Sequence, residues 1–339
     1  MRDVLEILES WVAEGKDVVT ATVVRTERSA PRDPGAVLAV SSTGEVAGSV
    51  TGGCVEPAVY EEAQEVLAGG DARLVSYGIA DEEAFDVGLP CGGTVDIFID
   101  RLDPEVLAAV AAAVKEERPI ALSTRILGGK VGGGNLLTPA TTAADDPASR
   151  LLARGENGII EAEGEATFVS SFAPRPRMYV FGAIDFASAV ASVGKFLGFH
   201  VTVCDARAKF VTRERFPDAD ELVVQWPDEY LASAPIDERT AICVLTHDDK
   251  FDVPILKVAL ESAAGYIGAM GSRRTTEKRL ERMKAEGVPE DRVDRIYAPI
   301  GLKIGARSPE EVAVTIAAQI IQAFRANSAR TSSSQPKAA

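Results

Sequence analysis

Near the start of the chain, Val4, Leu5, Leu8, Trp11 and Val12 form an i, i+3, i+4 stripe, which predicts an amphipathic helix. The pattern then changes to short apolar or β-branched runs at 17–25, 35–40 and 45–50, separated by Gly, Pro and Asp, which predicts a small sheet. Helical spacing returns over 55–70. Pro57 is acceptable in the first turn, Glu56 lies near the positive end of the helix dipole, and Gly69-Gly70 forms the stop. Further strands are expected in "ARLVSYGI", "GTVDIFIDRL" and "PIALSTRIL", with a helix "PEVLAAVAAAVKEE" between the last two. Residues 138–158 are small, polar and turn-rich and read as a loop or flexible insertion. "EATFVSSFAPRPR" reads as a last strand that runs into a Pro-containing linker. The first domain is therefore expected to be α+β and to span 1–175.

Beyond that linker the pattern changes. "RMYVFGA", "HVTVCDA", "ELVVQW", "AICVLTH" and "AGYIGAM" are short apolar runs alternating with helical stretches. Alternation of this kind predicts βαβ units, and hence a Rossmann-like, doubly wound parallel sheet over 176–326. The helix at 309–326 closes that domain, and 327–339 reads as a disordered tail.

Composition narrows the function classes. With 46% hydrophobic and 26% charged residues the chain is an ordinary globular one. A formal charge of -15 argues against general nucleic-acid binding, which needs basic patches, although a local cationic pocket remains compatible with a small anion. The opening segment lacks the order of a secretory signal, and no apolar run is long enough for a membrane span, so a cytoplasmic protein is expected. The four cysteines show no C-x-x-C spacing and there are only two histidines, which favours reduced thiols over a disulfide framework or a conventional zinc site.

Candidate chemistry concentrates at turns. In the second half, "VFGAIDFASA" occupies the first strand-to-helix turn, where a dinucleotide fold carries G-x-G-x-x-G. Gly182 keeps the tight turn and Ala187 the close helix packing, but Ile184 replaces the glycine that lets a pyrophosphate approach. Asp205 follows Gly182 by 23 positions, near the spacing of a ribose-binding acid, and a local turn cap is the competing reading. His247, at the carboxyl edge in "LTHDDKFD", could donate to an anion or move a proton, or bond only to the neighbouring acids. Gly271, Ser272 and Arg273, with Gly268 and Arg274, form a glycine turn, a cap and charge at a helix N-terminus, which suits phosphate; a merely solvated basic helix is the alternative. "APIGLKIGARSPEE" repeats the theme before a helix capped by Ser308.

In the first half two cysteines adjoin glycine pairs: Cys54 follows Gly52-Gly53 in "GSVTGGCVE", and Cys91 precedes Gly92-Gly93 in "VGLPCGGT". Glycines let a backbone approach something else, so either thiol could serve as a soft metal ligand or a nucleophile. The competing reading makes both small tight-turn residues. Cys204 and Cys243, inside expected strands, read as core.

Taken in order, "GSVTGGCVEPAV", "VGLPCGGTVDIFID", "VFGAIDFA", "VTVCDAR", "FPDADELVV", "VLTHDDKFD", "YIGAMGSRRT" and "PIGLKIGARSPEEVA" resemble the xanthine dehydrogenase accessory family of XdhC/CoxI type over nearly the whole chain. The resemblance implies a cysteine-bearing N-terminal domain, a Rossmann-like C-terminal domain and a homodimer. It implies a chaperone, rather than a catalyst, that binds molybdenum cofactor and hands it to an apo molybdo-hydroxylase of the xanthine dehydrogenase or CO dehydrogenase type, with a cofactor sulfurase as a further partner. On that reading Cys91, and secondarily Cys54, faces the metal–dithiolene group, while Arg273, Arg274 and helix termini hold the pterin phosphate. The chain departs from the family at Ile184 and at Lys303, where an acid is common, and both departures bear on dinucleotide binding. The competing function classes are an NAD(P)-dependent oxidoreductase and a thiol-dependent sulfur transferase acting on the cofactor.

Overall fold

The computed structural model describes residues 1–28, 32–78, 93–143, 145–246 and 248–332. The chain divides into two compact units, Met1–Pro174 and Arg175–Ala339.

The first unit contains α1 (Leu5–Ala13), α2 (Glu56–Leu67), α3 (Pro104–Lys115) and α4 (Pro147–Arg154). Strands β1 (Val18–Glu27), β2 (Val37–Ser41), β3 (Val46–Gly48), β4 (Arg73–Tyr77) and β5 (Thr94–Arg101) form a five-stranded sheet in the order β3-β2-β1-β5-β4. Strands β6 (Ile120–Leu127), β7 (Gly132–Leu137), β8 (Gly158–Ala162) and β9 (Glu165–Phe172) form a four-stranded one in the order β7-β6-β9-β8. All pairings within both sheets are antiparallel.

On one face of the five-stranded sheet, α2 buries Val59, Ala63 and Val66 against Val19, Ala21, Val23, Ile97 and Ile99. On the other, α1 and α3 bring Leu8, Trp11, Leu107 and Val110 against Val18, Val37 and Ala39. A sheet covered on both faces explains why 17–25 reads as a nearly continuous apolar run rather than a clean alternation. Each fully buried Val or Leu contributes about 1.5–3 kcal/mol, so α2 is held by its apolar face rather than by intrinsic propensity.

One expectation needs correction here. The segment read as a loop at 138–158 contains α4, because Asp146 accepts a hydrogen bond from the Ala148 amide at 2.7 Å as its N-cap, Pro147 is preset for the first turn, and Gly155 closes the helix in the left-handed region.

The second unit has β10 (Arg177–Phe181), β11 (His200–Cys204), β12 (Glu221–Val223), β13 (Ala241–Val244), β14 (Tyr266–Ala269) and β15 (Ile296–Tyr297). They form a six-stranded parallel sheet in the order β12-β11-β10-β13-β14-β15. Counted within the unit this is 3-2-1-4-5-6, the Rossmann order, and it bears out the fold class expected from the alternation. Helices α5 (Asp185–Phe196) and α10 (Pro309–Ser332) supply one core, centred on Val190, Ala191, Ile316 and Ile320. Helices α6 (Pro227–Ser233), α7 (Asp249–Glu261) and α8 (Arg273–Ala285), followed by the short α9 (Glu290–Val293), complete the unit, and Leu231, Ile255, Leu256 and Met283 build the core on the opposite face. The last helix runs to Ser332, six residues beyond the end expected for it, and takes in the start of the stretch expected to be a tail. No helix among the described residues is long and apolar enough to cross a membrane.

Candidate functional site

The best-defined chemical feature of the first unit is the loop between β3 and α2. Val50 and Thr51 anchor it on one side and Val55 on the other, all buried, while Gly52, Gly53 and Cys54 between them are exposed. Gly52 and Gly53 have φ of +84° and +124°, which side chains disfavour, yet a Cβ at either position would meet nothing within 4 Å. The glycines are thus required by backbone conformation.

That conformation aims the loop's donors inward at one carboxylate. Glu56 Oε1 accepts from the Ser49 hydroxyl at 2.7 Å and from the amides of Val50 at 3.2 Å, Thr51 at 2.9 Å and Gly52 at 2.8 Å. Oε2 accepts from the Thr51 hydroxyl at 2.7 Å and the Gly53 amide at 2.8 Å. Burial alone would raise the pKa of Glu56, but the Ser49 hydroxyl and the amide and hydroxyl of Thr51 outweigh it and hold the carboxyl far below the usual carboxylate range. The amides of Gly52 and Gly53 therefore donate to the chain's own carboxylate. What this pair leaves for a ligand is open space. Beside it Cys54 is an exposed free thiol immediately before Val55, the N-cap residue of α2.

Of the second glycine-flanked cysteine, Cys91 and Gly92 lie outside the described residues, as does His247. Gly93 is buried just before β5.

In the second unit the expected residues gather at the carboxyl ends of the parallel strands. Gly182, at φ +102°, closes the turn after β10, and a Cβ there would come within 2.8 Å of Thr246 Cγ2. Ile184 is the N-cap residue of α5 and offers no side-chain cap. Asp205, just after β11, is buried, and its carboxylate is engaged locally. Oδ2 accepts from the Ala183 amide at 2.8 Å and from Arg207 at 2.7 Å, while Oδ1 accepts from the amide and Nε of Arg207, both at 2.9 Å. Burial opposes ionisation, but Arg207 and the Ala183 amide outweigh it and keep the pKa below the usual value. The turn-cap reading describes this arrangement. The Arg207 guanidinium lies 4.7 Å from the centroid of the Phe210 ring.

After β14, Ser272 caps α8 by accepting from the Thr275 amide at 3.1 Å, with Gly271 before it and Arg273 and Arg274 exposed in the first turn. This leaves a charged helix N-terminus open to an anion. Behind it is a group that sequence reasoning missed: Asp252 of α7 and Arg279 of α8, both fully buried, form an ion pair. The Thr246 hydroxyl donates to Asp252, and Arg279 donates to the Met270 carbonyl at 3.0 Å. The ends of β13 and β14 are tied together through this pair.

Cys204 and Cys243 are buried in β11 and β13, and burial pushes both thiols up to about 12, which keeps them protonated near neutral pH. Among the described residues no group of His, Cys, Asp and Glu has the makings of a metal site.

Comparison with known proteins places family domains on both units. Residues 11–78 match the model described as "XdhC and CoxI family", and residues 178–320 match the one described as "XdhC Rossmann domain". The chain is 27% identical to a Bacillus subtilis protein named as a probable xanthine dehydrogenase subunit, over 93% of this chain and 96% of that protein. It is 28% identical to the molybdenum cofactor insertion chaperone PaoD of Escherichia coli, over 94% of this chain and 87% of PaoD. A crystal structure described as a xanthine dehydrogenase from Bacillus halodurans superposes with a TM-score of 0.71 at 26% identity, covering 98% of both chains.

Proposed function

Because the chain belongs to the XdhC and CoxI family, carrying both of its domains in order, we propose that it is a molybdenum cofactor chaperone. In this role it binds the cofactor, shields it, and inserts it into an apo molybdo-hydroxylase of the xanthine dehydrogenase or CO dehydrogenase type. The observation that carries the reading is the near-full-length similarity to PaoD, which is named as a cofactor insertion chaperone. The geometry supports it: an exposed thiol stands on an ordered loop with open space over the adjoining glycines.

A soft thiolate suits a metal–dithiolene group, and a capped helix N-terminus flanked by arginines suits a phosphate. Cys91 is the principal metal-facing thiol, flanked by Gly92 and Gly93, and Cys54 is the second. Within the second unit, Gly271, Ser272 and Arg273 suit an anion such as a phosphate, and His247 adds a donor. The chaperone works in the cytoplasm as a homodimer, with a cofactor sulfurase as a further partner. Ile184 and the engagement of Asp205 by Arg207 weigh against an NAD(P)-dependent oxidoreductase, since they stand where a pyrophosphate and a ribose would be received.

The test is anaerobic loading with molybdenum cofactor released from a molybdoenzyme, with retained pterin scored by its oxidised fluorescence. Wild type should retain cofactor and Cys91→Ala should lose it. Failure of the wild type to retain any would sink the proposal, and full retention by Cys91→Ala would remove that residue's role.

A further inference from the structure

From the bonds around Glu56 we infer that this residue is a positioning residue, the core about which residues 49–53 fold, and that it thereby fixes where Cys54 presents its sulfur. The assignment of a target for that sulfur rests on the chaperone reading; the placement of the loop does not.

An acidic residue in the first turn of a helix ordinarily serves the helix, by meeting its own unpaired first-turn amides or its dipole. Glu56 meets its own amide in this way, but most of its bonds go elsewhere. Its carboxylate receives the amides of Val50, Thr51, Gly52 and Gly53 and the hydroxyls of Ser49 and Thr51, all of which precede α2. The Val59 amide donates to the Val55 carbonyl at 3.0 Å instead. The bonds therefore go to shaping the loop.

Besides these bonds, the Val55 amide donates to the Thr51 hydroxyl at 3.3 Å across the tip, and packing adds little. Side chains placed at Gly52 or Gly53 would touch nothing, and both residues are exposed, so packing does not select their positive-φ conformation. Ser49 reinforces the arrangement, since its hydroxyl also accepts from the Gly52 amide at 2.8 Å. Cys54 follows directly, between this tip and the buried Val55. Removing the carboxylate would leave the amides of Val50, Thr51 and Gly53 without their acceptor and Gly52 with Ser49 alone, and the tip would have to rearrange.

The experiment compares wild type with Glu56→Gln, and with Glu61→Gln as a control for the same charge change on the exposed face of α2. Amide hydrogen exchange of the peptide 49–55 should accelerate about tenfold or more in Glu56→Gln and not in the control, because charge-assisted bonds are replaced by weaker ones. The rate at which iodoacetamide alkylates Cys54 should change about threefold or more in the same variant, as expected when a thiol's fixed surroundings are lost. If Glu56→Gln does not fold, Glu56→Asp, which keeps the charge but shortens its reach to the loop, reads the same two rates.

Cofactor retention then closes a double-mutant cycle. If Glu56 acts through Cys54, Glu56→Gln/Cys54→Ala should retain as much as Cys54→Ala alone. Unchanged exchange, unchanged alkylation, or losses that multiply in the double variant would each overturn the inference. A wild type that retains no cofactor would refute the chaperone reading, and the exchange and alkylation rates would still decide the role of Glu56.

Discussion

A carboxylate surrounded by donors keeps its charge well into the acid range, and two residues make this measurable. Glu56 is one. Asp220 is the other: burial would raise its pKa, but Lys195, the Val201 amide at 2.9 Å and Arg175 outweigh that and bring it down to about 2. With the folded value depressed below that of the unfolded chain, roughly 3.9, the unfolded state binds more protons between the two. The stabilisation is therefore complete above the unfolded value and is lost as pH falls toward about 2. Urea denaturation from pH 5 downward should show stability falling through this window, with a shallower fall in Asp220→Asn. Neither residue's role is legible in the sequence. Glu56 reads there only as an acid suited to the helix dipole, because its real partners depend on the positive φ of Gly52 and Gly53, which a residue string does not display. Asp205 is a closer case, since the spacing locates the residue and only the side-chain geometry chooses the local cap.

Elements are easier to read than contacts between them. The parallel strands of the second unit announce themselves because a sheet covered on both faces needs uninterrupted apolar runs. Helix α4 escapes because Thr, Ala and Asp dominate the stretch before it, and its cap, Asp146-Pro147, also reads as a turn. The Asp252–Arg279 pair escapes for a different reason: its members stand 27 positions apart on two helices that only the fold brings together. That pair joins elements, and its removal should be felt across them. Asp252→Asn should destabilise the protein by about 3–5 kcal/mol in chemical denaturation, because it leaves a guanidinium buried without its counter-charge. Combining it with Arg279→Met should recover much of the loss, since an apolar side chain of similar length needs no such partner. A double variant no more stable than the single would mean that the ion pair is not what joins α7 to α8.

At the scale of the whole molecule, the family motifs are legible because they run through both halves in order, whereas Cys91 and His247, two of the residues they single out, lie outside the described residues. The net charge of -15 has a consequence of its own. On the chaperone reading, a phosphate-bearing cargo would approach this chain against a repulsive field, so raising ionic strength should speed its association, the reverse of what a basic anion-binding protein shows. Stopped-flow loading over a salt series would test this, and slowing with salt would point to a strongly cationic local site that overrides the net field.

The loop around Glu56 adds one further property. Its backbone is ordered by the chain's own bonds, so on the chaperone reading a cargo seated there would find little conformational entropy to remove and would release no stored strain on departure. Dwell time on such a surface is governed by direct contacts alone, and a competing surface on a recipient can take the cargo without first unfolding anything. That is how a carrier behaves, as distinct from a trap.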